Sequence, residues 1–264
     1  MMLWDKKWLV TCCNQLGGLF KLDPKTGEYE KLLGEDCRGI AKYNNQYVLA
    51  TTSSGLLLLD NHFQVIHSNK LALDYHGVAV DRNVAYVVET HRNAIGMYLL
   101  PGFQKVNDIK LFPEETDVLH LNDLFIQGDR LFVSMFCLNG PWRPQKERPS
   151  GGIMELSLIT RQPLRVHYPE AVHHPHSVCM VDGKLMYCSS YPGEVKHGTD
   201  VVFRTPGYAR GLYCDAKQMG IGNSRTRWNN GEQEQAGIYI FQRDDKSIRF
   251  VPLPVSEVYG ILPL

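Results

Sequence analysis

The chain predicts an all-β fold, a six-bladed β-propeller in one domain, 1–264, with its N- and C-terminal strands paired in a single blade. Three observations predict it. The apolar runs are short, rich in β-branched and aromatic residues ("QYVLATT", "VAYVVET", "RLFVSMF", "KLMYCSS"), and punctuated by Gly, Asn, Asp and Pro, with no helical period sustained over three turns. Five sixteen-residue stretches align without a gap. The two ends of the chain supply the halves of a sixth such unit.

Taken in order, "KKWLVTCCN" matches the second half of the repeat and closes on Cys13 and Asn14. "GGLFKLDPKTGEYE" follows as a hairpin, with Asp23-Pro24 and Thr26-Gly27 supplying the turn. The complete units are "RGIAKYNNQYVLATTS" from Arg38, "HGVAVDRNVAYVVETH" from His76, "NDLFIQGDRLFVSMFC" from Asn122, "HSVCMVDGKLMYCSSY" from His176 and "RGLYCDAKQMGIGNSR" from Arg210. Each opens on a polar residue, with an aliphatic two places on: Ile40, Val78, Leu124, Val178 and Leu212. A turn rich in Asp, Asn and Gly leads to a second apolar run, which closes on Ser53, His91, Cys137, Tyr191 and Arg225. "VYGILPL" repeats the opening with Tyr259 and Ile261. The spacing averages about 44 residues, the length of a four-stranded blade. A β-sandwich would leave the split sixth unit unexplained, whereas pairing the first and last strands removes an exposed edge.

Composition narrows the function. Basic and acidic side chains balance at 28 each, which argues against a nucleic-acid partner bound through bulk charge. No apolar stretch is long enough to span a bilayer, and "MMLWDKKWLV" has no signal-peptide core. Seven cysteines without framework spacing suit a reducing compartment, so a cytoplasmic location is expected. Walker, Rossmann and GxSxG patterns are absent.

The first strand of a propeller blade lines the axis, so the six opening residues Arg38, His76, Asn122, His176, Arg210 and Tyr259 are expected around one mouth, with the closing residues as a second tier. Imidazoles and an amide (His76, Asn122, His176, with His91 behind) fall on one side. Guanidiniums and a phenol (Arg210, Tyr259, Arg38, with Arg225 behind) fall on the other. Arginine forks hold carboxylate or phosphate, and histidine moves protons near neutrality. Two insertions, "LNGPWRPQKERPSGG" (138–152) and "TRWNNGEQEQAG" (226–237), would bring Trp142 with Arg143 and Trp228 with Arg227 to the same mouth as binding elements.

The structural readings are concrete. Arg38 and Arg210 could close salt bridges with Glu35, Asp36 or Glu257, and Asp123 could bond a neighbouring blade. His173 and His174 are expected as loop residues. Cys137, in the second tier, could be a nucleophile, but no feature of the sequence marks it as activated. No cofactor motif is present. His76, His91 and His176 could supply three nitrogens to a transition metal such as zinc, iron or copper.

"CRGIA", "HGVAV", "HPHSV", "ARGL" and "GNSR" resemble the blade openings and loop ends of a group of bacterial propeller proteins of unknown function. More remotely they resemble the strictosidine-synthase and lactonase superfamily of six-bladed propellers. The resemblance spans nearly the whole chain and implies the fold. It carries over no catalytic residue, and the axial positions lack the carboxylates with which lactonase-type propellers gather calcium. The resulting expectation is an enzyme acting on a small anionic metabolite by acid–base chemistry of the elimination, epimerisation or cyclisation class. Catalysis would fall to His76 and His176 with Tyr259, and binding to Arg38, His91, Asn122, Arg210, Arg225, Trp142 and Trp228. The alternative is a propeller that binds a small molecule or a protein without catalysis.

Overall fold

A computed structural model describes residues 6–225 and 235–264. It is all-β, with six four-stranded antiparallel sheets forming a six-bladed β-propeller. The strands in chain order are β1 (Trp8–Cys13), β2 (Gly18–Leu22), β3 (Tyr29–Leu33), β4 (Cys37–Tyr43), β5 (Gln46–Thr51), β6 (Leu56–Leu59), β7 (Val65–Ser68) and β8 (Tyr75–Asp81). Next come β9 (Val84–Glu89), β10 (Ala94–Leu99), β11 (Gln104–Lys110), β12 (Leu121–Gln127), β13 (Arg130–Met135), β14 (Gly151–Ser157), β15 (Pro163–Val172) and β16 (Pro175–Val181). The last are β17 (Lys184–Ser189), β18 (Glu194–His197), β19 (Asp200–Arg204), β20 (Tyr208–Cys214), β21 (Gln218–Ser224), β22 (Gly237–Gln242), β23 (Ile248–Pro252) and β24 (Glu257–Pro263). Five sheets are sequential meanders, and the sixth has the order β24-β1-β2-β3. The split unit is therefore closed as expected, with Val10 opposite Ile261 and Leu9 opposite Leu262.

The chain forms two compact units, Arg38–Cys179 and Met1–Cys37 with Met180–Leu264. In the first, the middle strands are apolar on both faces because each is covered on both sides. Along β9, Ala85 and Val87 join one core cluster with Val48, Leu56 and Tyr75, while Tyr86 and Val88 join another with Leu121, Leu131 and Met135. Successive strand residues point to opposite faces, so one "AYVV" run serves two cores. In the second unit Trp8, Val10, Phe20, Ile238, Val258 and Ile261 form the corresponding core. The fourth strands carry charged, exposed sequences such as "QKVNDIK" and "DVVFR", which discourages edge pairing with another chain.

The opening positions coincide with a local device invisible in the repeat itself. In the pair β8–β9, Tyr75 faces Glu89 and Val78 faces Val87, so His76 and Gly77 span two partner steps with one residue extra. The same bulge holds Asn122 and Asp123 in β12, Arg210 and Gly211 in β20, and Tyr259 in β24. A bulge kinks a strand and re-aims the side chains it carries. It also explains two glycines: a Cβ on Gly39 would lie 2.4 Å from the His76 carbonyl oxygen, and one on Gly77 would lie 2.7 Å from that of Asn122.

Candidate functional site

Within Arg38–Cys179 three of the expected residues meet in one hydrogen-bond network, two of them, His76 and Asn122, carried on bulges. The Asn122 amide is oriented by its own Nδ2, which donates to the His120 carbonyl at 3.1 Å. Its Oδ1 faces Nδ1 of His76 at 3.0 Å and Nε2 of His176 at 3.1 Å. Both rings therefore donate to one oxygen. Nδ1 of His176 faces the His174 carbonyl at 3.0 Å, so both nitrogens of that ring face acceptors, and a ring carrying two N–H groups satisfies both. Nε2 of His76 lies 3.5 Å from Asp74 Oδ1, and Asp74 closes a 2.6 Å ion pair with Arg38. Burial, with the positive charge of Arg38, pulls His76 down to about 3 although Asp74 favours its proton. Burial works the other way on Asp74, but its contact with His76 and the charge and hydrogen bond of Arg38 hold its carboxyl well below the usual range. His76 is thus neutral at pH 7 with its proton on Nδ1. Asp123 bonds the adjacent strand as expected, its Oδ2 accepting the Ser177 N–H at 2.7 Å.

Beside this network lies an aromatic and imidazole cluster that sequence reasoning missed. His120 lies between Trp142 and Phe136, ring centroids 4.3 and 4.4 Å away and planes tilted by 34° and 51°, and meets His76 edge-on at 5.6 Å. Phe136 stacks on His174 at 4.0 Å. Asp117 Oδ2 accepts from His120 Nδ1 and from Trp142 Nε1, both at 2.8 Å, with Arg143 Nη2 at 3.5 Å. The first insertion therefore does bring Trp142 in. It packs buried against the cluster, held by its N–H to the Val118 carbonyl, while the Lys146 carbonyl meets His173 Nε2. His174 departs from the expectation of a loop residue: it sits in the two-residue link before β16, yet it is buried. Burial, with His173 nearby, pulls it down to about 3.

One signal could have found these residues. Two places before each opening residue stand Asp36, Asp74, His120, His174, Tyr208 and Glu257, all polar. Asp74, His120 and His174 also share a left-handed backbone, φ 50°, 49° and 52°, a strained state for non-glycine residues that clusters at functional sites.

The other expected residues of this unit are placed differently. His91 is exposed in the short 3₁₀ turn Thr90–Arg92. Cys137 is buried beside Phe136 and Trp142. Among the described residues no three His, Cys, Asp or Glu side chains are grouped to hold a metal ion.

In the second unit Arg210 is buried over the Tyr259 ring, its guanidinium 3.9 Å from the centroid, with Nη1 3.3 Å from Glu257 Oε2. Cys13 Sγ donates to the same carboxylate at 3.6 Å. Burial alone would favour the neutral guanidine, but Cys13, Tyr259 and Glu257 raise the Arg210 pKa further. Its Nε is buried without a hydrogen-bond partner. Arg225 is exposed at the end of β21, its N–H bonded to the Ser256 carbonyl. Trp228 and Arg227 lie outside the described residues.

No family model matches the chain, and no curated protein does. Solved structures do. A chain of a nidogen/laminin complex superposes with a TM-score of 0.72 at 11% identity, covering 98% of each chain. A protein of unknown function from Bacteroides caccae gives 0.69 at 10% identity, covering 98% of this chain and 99% of the other. Kuenenia stuttgartiensis hydrazine synthase gives 0.56 at 14%, covering 82% and 66%. At such identities the likeness is one of fold, and the fold shared is the β-propeller.

Proposed function

We propose that this protein is an enzyme that moves protons on a small anionic metabolite, in an elimination, epimerisation or cyclisation. The observation that supports this reading best is the single Asn122 oxygen holding both His76 and His176. Two imidazoles fixed through one amide, one ring neutral and the other with both nitrogens facing acceptors, are a base and an acid side by side. Arg38, partly exposed above Asp74, is the anion-holding group of the same unit. Arg210 over Tyr259 is a candidate anion holder in its own unit. The finer family reading, kinship with the bacterial propeller group and remotely with the strictosidine-synthase and lactonase superfamily, rests on the repeat motifs. The cytoplasmic reading is supported by seven cysteines, none in a disulfide. No helix among the described residues is long and apolar enough to cross a membrane.

Thermal-shift screening against small carboxylic and phosphorylated acids and metal ions, followed by product analysis, tests the reading. An acid that binds and is converted supports it, and His176→Ala should then cost roughly 10²–10⁴ in rate. Unchanged turnover in that variant removes His176 from the chemistry. The second reading is a propeller that binds a small molecule or a protein without catalysis, in which the Arg38–Asp74 and Arg210–Glu257 pairs are structural. Binding with every ligand recovered chemically unchanged supports that second reading.

A further inference from the structure

We infer that Asp117 and His120 form a second proton-transfer dyad, with Nε2 of His120 the atom that exchanges a proton with an acidic small molecule and Asp117 the residue that positions the ring. The inference rests on the acid–base reading above and adds to it a group that lies closer to solvent. The side chain of His120 keeps 17% of its surface exposed, whereas that of His76 keeps 7% and the whole of His176 keeps 1%.

The geometry is that of an oriented base. Burial works against ionisation of Asp117, but the hydrogen bonds from His120 and Trp142 and the charge of Arg143 hold its carboxyl below the usual range. An ionised carboxylate only accepts, so Nδ1 of His120 must donate across the 2.8 Å contact, and the lone pair of the neutral ring is left on Nε2. Trp142 fixes the same carboxylate oxygen from the other side, and its ring packs on the imidazole. The insertion at 138–152 thus completes the dyad. Arg143, exposed and stacked over Trp142 with 4.8 Å to the ring centroid, sets a cation beside it for an anionic substrate. Charged or titratable groups beside the ring include Asp117, His76 and His174, with Arg143 against Asp117 and Trp142.

The test uses the intact protein and the acylating probe diethyl pyrocarbonate, with adducts mapped by mass spectrometry across pH. His120 should label with a defined midpoint, beside the exposed His62 and His91 as internal standards. Asp117→Asn removes the carboxylate and should lower the His120 midpoint by about one pH unit or more, leaving those of His62 and His91 in place. An unmoved midpoint, or no labelling of His120, overturns the dyad. Ring-nitrogen NMR of the unsubstituted protein is independent of whether that variant folds. Above the midpoint the proton should sit on Nδ1, and finding it on Nε2 overturns the inference. A shifted midpoint in a protein that converts no acid supports the dyad while the enzyme reading falls. Turnover with an unmoved midpoint removes the dyad and leaves that reading standing.

Discussion

The two compact units use the same bulge for opposite purposes. In each, the opening residue of one repeat reaches the residue two places before the next opening: Arg38 meets Asp74 in one unit, and Arg210 meets Glu257 in the other. The first pair is partly exposed, its side chains retaining 17% and 40% of their surface. The second is buried, retaining 7% on each side. Around Arg38 the neighbouring repeats add imidazoles and an amide, making a network that handles protons. Around Arg210 they add a phenol ring and a thiol, making a fixed cation. The backbone device decides where a side chain goes, and side-chain identity alone decides the chemistry.

That contrast can be broken most decisively at its buried end. Glu257→Ala leaves Arg210 charged and unpaired among Tyr259 and Cys13, and should cost about 3–5 kcal/mol in urea unfolding. A loss within error of zero would mean that water reaches the guanidinium and that the two pairs do not differ in kind.

Next in size is the amide bridge. Asn122→Leu strands a donor on His76 and another on His176, at about 1–3 kcal/mol for each buried group. The double replacement His76→Phe with Asn122→Leu should recover part of that loss, because it removes an orphaned donor. Full additivity of the two changes would show that the ring and amide are not coupled.

The pH dependence sharpens the contrast, because among the described residues the histidines pulled below their ordinary value, His76, His173 and His174, all lie in the first unit. His76 and His174 have folded pKa values near 3, below the unfolded value of 6.5. The unfolded chain therefore binds protons that the folded chain refuses. Their contribution is fully present above pH 6.5 and is lost as pH falls toward 3, by about 1.4 kcal/mol per pH unit for each histidine. His174→Phe keeps the stack on Phe136 and removes one of the two sites. The slope of unfolding free energy between pH 6 and 5 should fall by roughly that amount, whereas an unchanged slope would mean that His174 accepts a proton in the folded state.

The smallest effect is expected at the exposed pair. Asp74→Ala should cost less than Glu257→Ala, about 1–2 kcal/mol, because the pair keeps part of its surface in water while His76 and Arg38 still hold the carboxyl. A loss as large as that of Glu257→Ala would erase the distinction between the units.

The fold was legible because repetition leaves a mark in every blade. The aliphatic at the third position and the split "KKWLVTCCN" and "VYGILPL" halves map onto strands, down to the β24–β1 register, and the Asp/Asn/Gly segments map onto the turns between them. The candidate site was legible only in part. His76, Asn122 and His176 stood at equivalent places, and the Asn122 amide oxygen joins them. Asp117 and His120 were hidden because their partner Trp142 arrives from an insertion that belongs to no repeat. His174 was hidden because a two-residue link in sequence gives no sign of being buried. Glu257 appeared as a salt-bridge alternative, but its burial depends on packing that composition does not encode.

The Asn122 bridge is tested most directly by following the ring nitrogens of His76 by ¹⁵N NMR from pH 8 to pH 4. A ring tied to Asn122 and shielded from water keeps a single proton, on Nδ1, throughout that range. Uptake of a second proton near pH 6.5, the ordinary value for a histidine, would contradict it.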